Sequence, residues 1–149
     1  MQSPHDDRTA WNIPGTIEAI GQTAGELRRR LADHGLGEEQ IYAVELCFEE
    51  LTMNILRHGH EASRQSPGES AQRSDIGIAL EFHADSVRLI IEDNAPPFDV
   101  TAAVASRIDK PLAELQPGGL GIHLIKQFST ALHHERTHNG NRVTVDFAT

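Results

Sequence analysis

Ile41-Tyr42-Ala43-Val44-Glu45-Leu46-Cys47-Phe48-Glu49-Glu50-Leu51-Thr52-Met53-Asn54-Ile55 carries its large apolar residues at intervals of three and four. Ile41, Val44, Phe48, Leu51 and Ile55 therefore line one face of an α-helix, and the pattern predicts a helix from about Glu38 to His58. Glu50 and Asn54 lie four apart on it, so they project the same way, one turn above the other. At about 100° per residue they fall between the main stripe and a smaller arc formed by Leu46 and Met53. Polar residues with apolar surface on both sides are either boundary groups satisfied by backbone and water, or an acid and an amide placed for chemistry. The second arrangement suits a general base or water-orienting carboxylate beside a hard oxygen ligand for Mg2+. Cys47, the single cysteine of the chain, falls inside this helix as a small core residue, which excludes an internal disulfide.

Upstream, Thr16 is placed to cap an earlier helix whose apolar positions Ile17, Ile20, Ala24, Leu27 and Leu31 keep helical spacing up to His34-Gly35. Thr9 to Ile13 before it predicts a short edge strand stopped by Pro14-Gly15, preceded by a flexible leader over residues 1–8. Downstream, residues 60–74 are polar with hardly an apolar side chain, which predicts a mobile loop. Ile76, Ile78, Leu80 and Phe82, then Val87, Leu89 and Ile91, repeat every second residue around a turn at Ala84-Asp85-Ser86, a β-hairpin with one buried face. Two more strands, about Ala131 to Thr137 and Arg142 to Phe147, flank the turn His138-Asn139-Gly140-Asn141. The order predicts a single α/β (α+β) two-layer sandwich over residues 1–149, with helices on one face of a mixed, mostly antiparallel sheet.

Composition narrows the function. The formal charge is −9 and the only basic cluster is Arg28-Arg29-Arg30, so an extended nucleic-acid or membrane surface is disfavoured. No apolar run approaches a membrane span and the N-terminus lacks the regions of a signal peptide, which predicts a cytoplasmic protein. An acidic chain that binds a polyanion must do so through backbone donors and a metal ion. Pro117-Gly118-Gly119-Leu120-Gly121-Ile122-His123 supplies such donors, since glycines give way there to a helix predicted to run to Phe128. Between Asn94 and Gly119 the chain is loosely patterned and proline-containing, as a functional lid would be.

Asp93 closes the group. It shares the phase of Val87, Leu89 and Ile91, so its carboxylate projects from the core-packed face and needs a donor partner. A purine exocyclic amine would serve, as would an arginine or a backbone N–H. Glu50-x-x-x-Asn54 on a helix, Asp93-x-Ala95-x-x-Phe98 after a strand and Gly119-x-Gly121 opening a later helix stand in the order and spacing of the three nucleotide boxes of the GHKL ATPases. Across nearly its whole length the chain resembles the small anti-sigma-factor serine/threonine kinases of that superfamily.

The resemblance implies a Bergerat, histidine-kinase-like ATPase fold binding ATP and Mg2+, with residues 96–118 as an ATP lid. Asp93 would accept from the adenine amine, flanked by Ala95 and Phe98. Asn54 would ligate the Mg2+ shared with the ATP phosphates, Glu50 would be the catalytic base, and the stretch Gly119, Leu120, Gly121 and Ile122 would meet the phosphates. It further implies a sigma factor or a STAS-type anti-sigma antagonist as partner, with room for a homodimer. Two positions depart from the pattern: Ala95 stands where glycine is usual, and Asn141 stands where a threonine usually begins the last strand, so Asn141 is a candidate for the adenine side. Only Glu50, not Glu49, has the four-residue spacing to Asn54. A P-loop fails because Gly121 is followed by Ile122-His123, a dinucleotide fingerprint fails at Leu124, and His58, His60, His133, His134 and His138 form no complete zinc set. The expected activity is phosphorylation of an antagonist protein in partner switching; the alternative is a module that binds ATP and sequesters a partner without phosphoryl transfer.

Overall fold

The computed structural model describes residues 7–65, 75–95 and 125–149. In chain order these form β1 (Asp7–Pro14), α1 (Ile17–Asp33), α2 (Glu38–Gln65), β2 (Asp75–Phe82), β3 (Ser86–Asp93), β4 (Ala131–Arg136) and β5 (Asn141–Ala148). Residues 125–128 are helical. The strands make one sheet in the order β1-β2-β3-β5-β4. Every described pairing is antiparallel; the tight turns of the β2–β3 and β4–β5 hairpins require it of their own strands, and the two hairpins meet through β3 and β5.

Local chemistry sets the helix ends. Thr16 accepts a hydrogen bond from the Ala19 amide at 3.1 Å and caps α1. At the other end Gly35 adopts φ 82°, which lets the Gly35 amide reach the Ala32 carbonyl and the Leu36 amide reach the Leu31 carbonyl. That paired termination of orphan carbonyls favours glycine. The Gln40 side chain then reaches back to the Gly37 amide at 2.8 Å and starts α2.

Two boundaries differ from those the sequence predicts. Asp7 and Arg8 belong to β1 rather than to a flexible leader, paired with Phe82 and Glu81. Residues 60–65 continue α2 rather than opening a loop. Their polarity masks good helix formers, Glu61, Ala62, Arg64 and Gln65, and extending an existing helix costs far less than nucleating one.

The core lies between the helices and one face of the sheet. Leu27 and Leu31 of α1, Val44, Cys47 and Phe48 of α2, and Ile76, Leu80, Val87, Leu89, Val145 and Phe147 of the sheet are buried together. Burial pushes the Cys47 thiol strongly up, since a thiolate there would lose its hydration. Each side chain of this size contributes about 1.5–3 kcal/mol on burial, so α2 is held by its stripe rather than by helix propensity. The opposite sheet face is polar and carries ion pairs between directly opposed residues: Arg8 with Glu81, Arg88 with Asp146, and Arg142 with both Glu92 and Glu135.

Candidate functional site

The period-two phase that buries Val87, Leu89 and Ile91 carries Asp93 to the helix-facing side at the end of β3. In register beside it stands Asn141, the first residue of β5, and beside Asn141 stands Arg136, the last of β4. Three strands thus present one polar row at one end of the sheet. Asn141 is buried at 3% exposure. Its Nδ2 donates to Asp93 Oδ1 at 3.0 Å and to the Ala95 carbonyl at 3.3 Å. Asp93 Oδ1 also accepts from the Ala95 amide at 2.8 Å, the sharp turn that ends the strand. Arg136 donates to the Ala95 carbonyl at 3.1 Å. Asp93 Oδ2 accepts no hydrogen bond among the described residues.

Thus the partners that a buried-face carboxylate requires are a side-chain amide and a backbone N–H, both neutral. Since both donors meet one oxygen of the carboxylate, its second oxygen is left to accept from a ligand. Ala95 itself is buried, and no described non-glycine residue has positive φ, so alanine stands at this position without the left-handed strain that would demand glycine.

The helix α2 packs on β3, the strand that ends in Asp93. Glu49 is exposed and Glu50 half-buried, so the carboxylate with the four-residue spacing is also the one that faces inward. Asn54 is buried at 7% exposure, and its Nδ2 has no hydrogen-bond partner among the described residues. A buried amide group in that condition costs about 1–3 kcal/mol, and it fits an external oxygen-rich group: with its amide nitrogen on a phosphate and its oxygen on Mg2+, Asn54 would satisfy both ends. By contrast Thr52, fully buried on the same helix, bonds back to the Phe48 carbonyl at 2.7 Å. Phe98, Gly119, Leu120, Gly121, Ile122 and the lid span 96–118 lie outside the described residues.

Sequence patterning does not announce three residues that the structure brings to this end. His134 Nε2 lies 3.1 Å from Asn141 Oδ1, Arg136 reaches Ala95, and Gly140 packs against the end of β3. A Cβ on Gly140 would stand 1.6 Å from the Asp93 carbonyl oxygen and 2.7 Å from Asn94 Cα, so this glycine permits a backbone approach as well as a turn. The signal is present but indirect: counting by twos from Leu132 puts His134 and Arg136 on the core side, and the Asn-Gly turn fixes their register against Asn141.

The model of the histidine kinase-like ATPase domain matches residues 13–147. Among curated proteins, the serine/threonine-protein kinase BtrW of Bordetella bronchiseptica is 31% identical over 104 residues, which span 70% of this chain and 68% of that protein. Among solved structures, a chain of the SiaB-SiaC complex from Pseudomonas aeruginosa superposes with a TM-score of 0.61 at 15% identity, covering 95% of this chain and 88% of that one. At that identity the likeness establishes the fold alone, a helix-backed antiparallel sheet.

Proposed function

We propose, since this chain belongs to the histidine kinase-like ATPase domain family, that it is an ATP- and Mg2+-dependent protein serine/threonine kinase that also acts as an anti-sigma factor. The observation that carries the reading is the carboxylate of Asp93, turned to the core side of the sheet and held through one oxygen by Asn141 and Ala95. Its other oxygen is directed by that constraint to accept from the exocyclic amine of adenine. Likeness to a serine/threonine kinase over two-thirds of both chains supports the phosphoryl-transfer half of the proposal. That the solved relative is a complex supports the partner-binding half.

In this reading Asn54 would hold Mg2+ and a phosphate oxygen, and the metal would supply charge neutralisation at the phosphates. Gly119, Leu120, Gly121 and Ile122 would offer backbone N–H groups to the same phosphates. Glu50 takes the proton of the attacking serine or threonine hydroxyl as its oxygen bonds to the γ-phosphorus, and the bond from that phosphorus to the bridging oxygen breaks to release ADP. An acidic protein can do this because positioning and local charge neutralisation carry phosphoryl transfer without a basic surface. The acceptor is an antagonist of STAS type in the cytoplasm, whose phosphorylation would change its competition with a sigma factor. Among the described residues no helix is long and apolar enough to cross a membrane.

The test combines labelled ATP, Mg2+ and candidate antagonist proteins. Transfer of label that Glu50→Ala stops, with nucleotide binding intact, is the expected result. Nucleotide binding without transfer to any antagonist would instead identify a module that sequesters its partner and uses ATP structurally.

A further inference from the structure

The position that usually carries a threonine at the start of the last strand is here an asparagine, and an asparagine must be aimed. Its amide has a donor end and an acceptor end, and turning it over exchanges them. In this structure the orientation is determined by its neighbours. Nδ2 faces two acceptors, Asp93 Oδ1 and the Ala95 carbonyl, so Oδ1 is the atom that faces His134 Nε2 at 3.1 Å. Only a donor can satisfy a carbonyl oxygen, so Nε2 carries a proton and His134 donates. Oδ1 accepts, Nδ2 donates, and the polarity continues to the carboxylate.

From this chain of contacts, and resting on the nucleotide-pocket reading above, we propose that His134 is a positioning residue for the base-recognition end of the pocket. It fixes the rotation of Asn141, Asn141 fixes Oδ1 of Asp93, and the fixed carboxylate selects a ligand that presents a donor. The ligand class so chosen is a 6-aminopurine nucleotide over a 6-oxopurine one, because the second would bring an acceptor against a carboxylate oxygen. His134 itself touches no ligand. Arg136 supports the same turn from the neighbouring position of β4 through the Ala95 carbonyl, so the edge strand of the sheet, far in sequence from Asp93, sets the geometry of recognition.

The experiment measures ATP and inosine triphosphate affinity by calorimetry with Mg2+ for the full chain and for His134→Leu, His134→Gln and Asp93→Asn. Inosine triphosphate has an oxygen in place of the exocyclic amine, and glutamine keeps a donor near the position of Nε2. His134→Leu is expected to weaken ATP about fivefold, the scale of one hydrogen bond, and to leave inosine triphosphate unchanged; His134→Gln restores the ATP preference. Equal losses for both nucleotides, or a glutamine variant that behaves as the leucine one, would overturn the proposal, because His134 would then act through packing alone. Asp93→Asn separates the two layers of the argument. If it keeps the wild-type preference for ATP, the pocket reading fails and His134 falls with it. If it loses the preference while His134→Leu keeps it, only the role of His134 fails. Nitrogen-15 NMR of the unmodified protein gives a check independent of any variant's folding: the neutral His134 ring should carry its proton on Nε2, and an Nδ1–H ring would refute the relay.

Discussion

Two aspartates face the helices from opposite ends of the same sheet, and they are used in opposite ways. Asp7, at the start of β1, accepts from Arg30 at 2.8 Å and lies 2.9 Å from His34 Nε2. His34 in turn stacks on Phe82 with ring centroids 3.5 Å apart. That carboxylate is engaged by basic groups and fastens the end of α1 to the edge strand. Asp93, at the end of β3, is held among the described residues by the neutral Asn141 amide and the Ala95 N–H, through one oxygen. An aspartate paired with an arginine and a histidine is a fastener; one braced by neutral donors keeps an open acceptor for something that arrives later. In the sheet both share the phase of the core side, and only the identity of their neighbours separates them.

The comparison can be broken most severely at Gly140. Alanine there would force its Cβ into the Asp93 carbonyl, so Gly140→Ala should cost about 3 kcal/mol in urea unfolding, the upper end of overpacking. An alanine variant of unchanged stability would mean that the two strand ends can separate freely. Next in size, Asp93→Asn should weaken ATP binding by about a hundredfold, as expected when a charged hydrogen-bond acceptor is lost. Asp7→Asn should leave nucleotide affinity as it was. Equal effects of the two substitutions on binding would erase the distinction between them.

A smaller change sharpens it from the other side of the pocket. Asn54→Leu removes a buried amide whose nitrogen lacks a partner among the described residues, so the nucleotide-free protein should gain about 1 kcal/mol while Mg2+-dependent ATP binding is lost. A loss of stability in that variant would show that the asparagine serves the fold. The smallest effect concerns pH. The hydrogen bond with His34 holds the Asp7 carboxyl below its ordinary value, with desolvation opposing and Arg30 adding to the lowering. A lowered folded-state pKa gives stability that is present above the unfolded value of about 3.9 and lost as pH falls through the folded one. The stability difference between wild type and Asp7→Asn should therefore be small, steady from neutral pH down to about 5, and absent in strong acid.

What the sequence discloses, and what it withholds, follows from the range of the interactions involved. Helices α1 and α2 and the two hairpins are visible in it because burial on one face imposes a period on consecutive residues. Glu50, Asn54 and Asp93 stand out for the related reason that they interrupt such periods. The continuation of α2 through Gln65 is hidden because polarity resembles a loop while propensity favours the helix. His134, Arg136 and the close approach at Gly140 are hidden for a deeper reason. Asn141 is 48 positions from Asp93, so their meeting depends on which strand inserts beside β3, and no local pattern encodes that neighbour. Ala95 illustrates the converse: the sequence flags it as a departure, and the backbone accommodates it without strain.

Cys47 has a practical consequence. With the side chain fully enclosed and its ionisation suppressed by burial, the native thiol should stay silent toward maleimides while the protein remains folded. A cysteine introduced at an exposed position such as Glu49 would then be the sole reactive handle, with no cysteine-free background to engineer first. A fluorophore there, one residue from Glu50, could report nucleotide arrival in real time, and unexpected labelling of Cys47 would serve as a built-in alarm for unfolding.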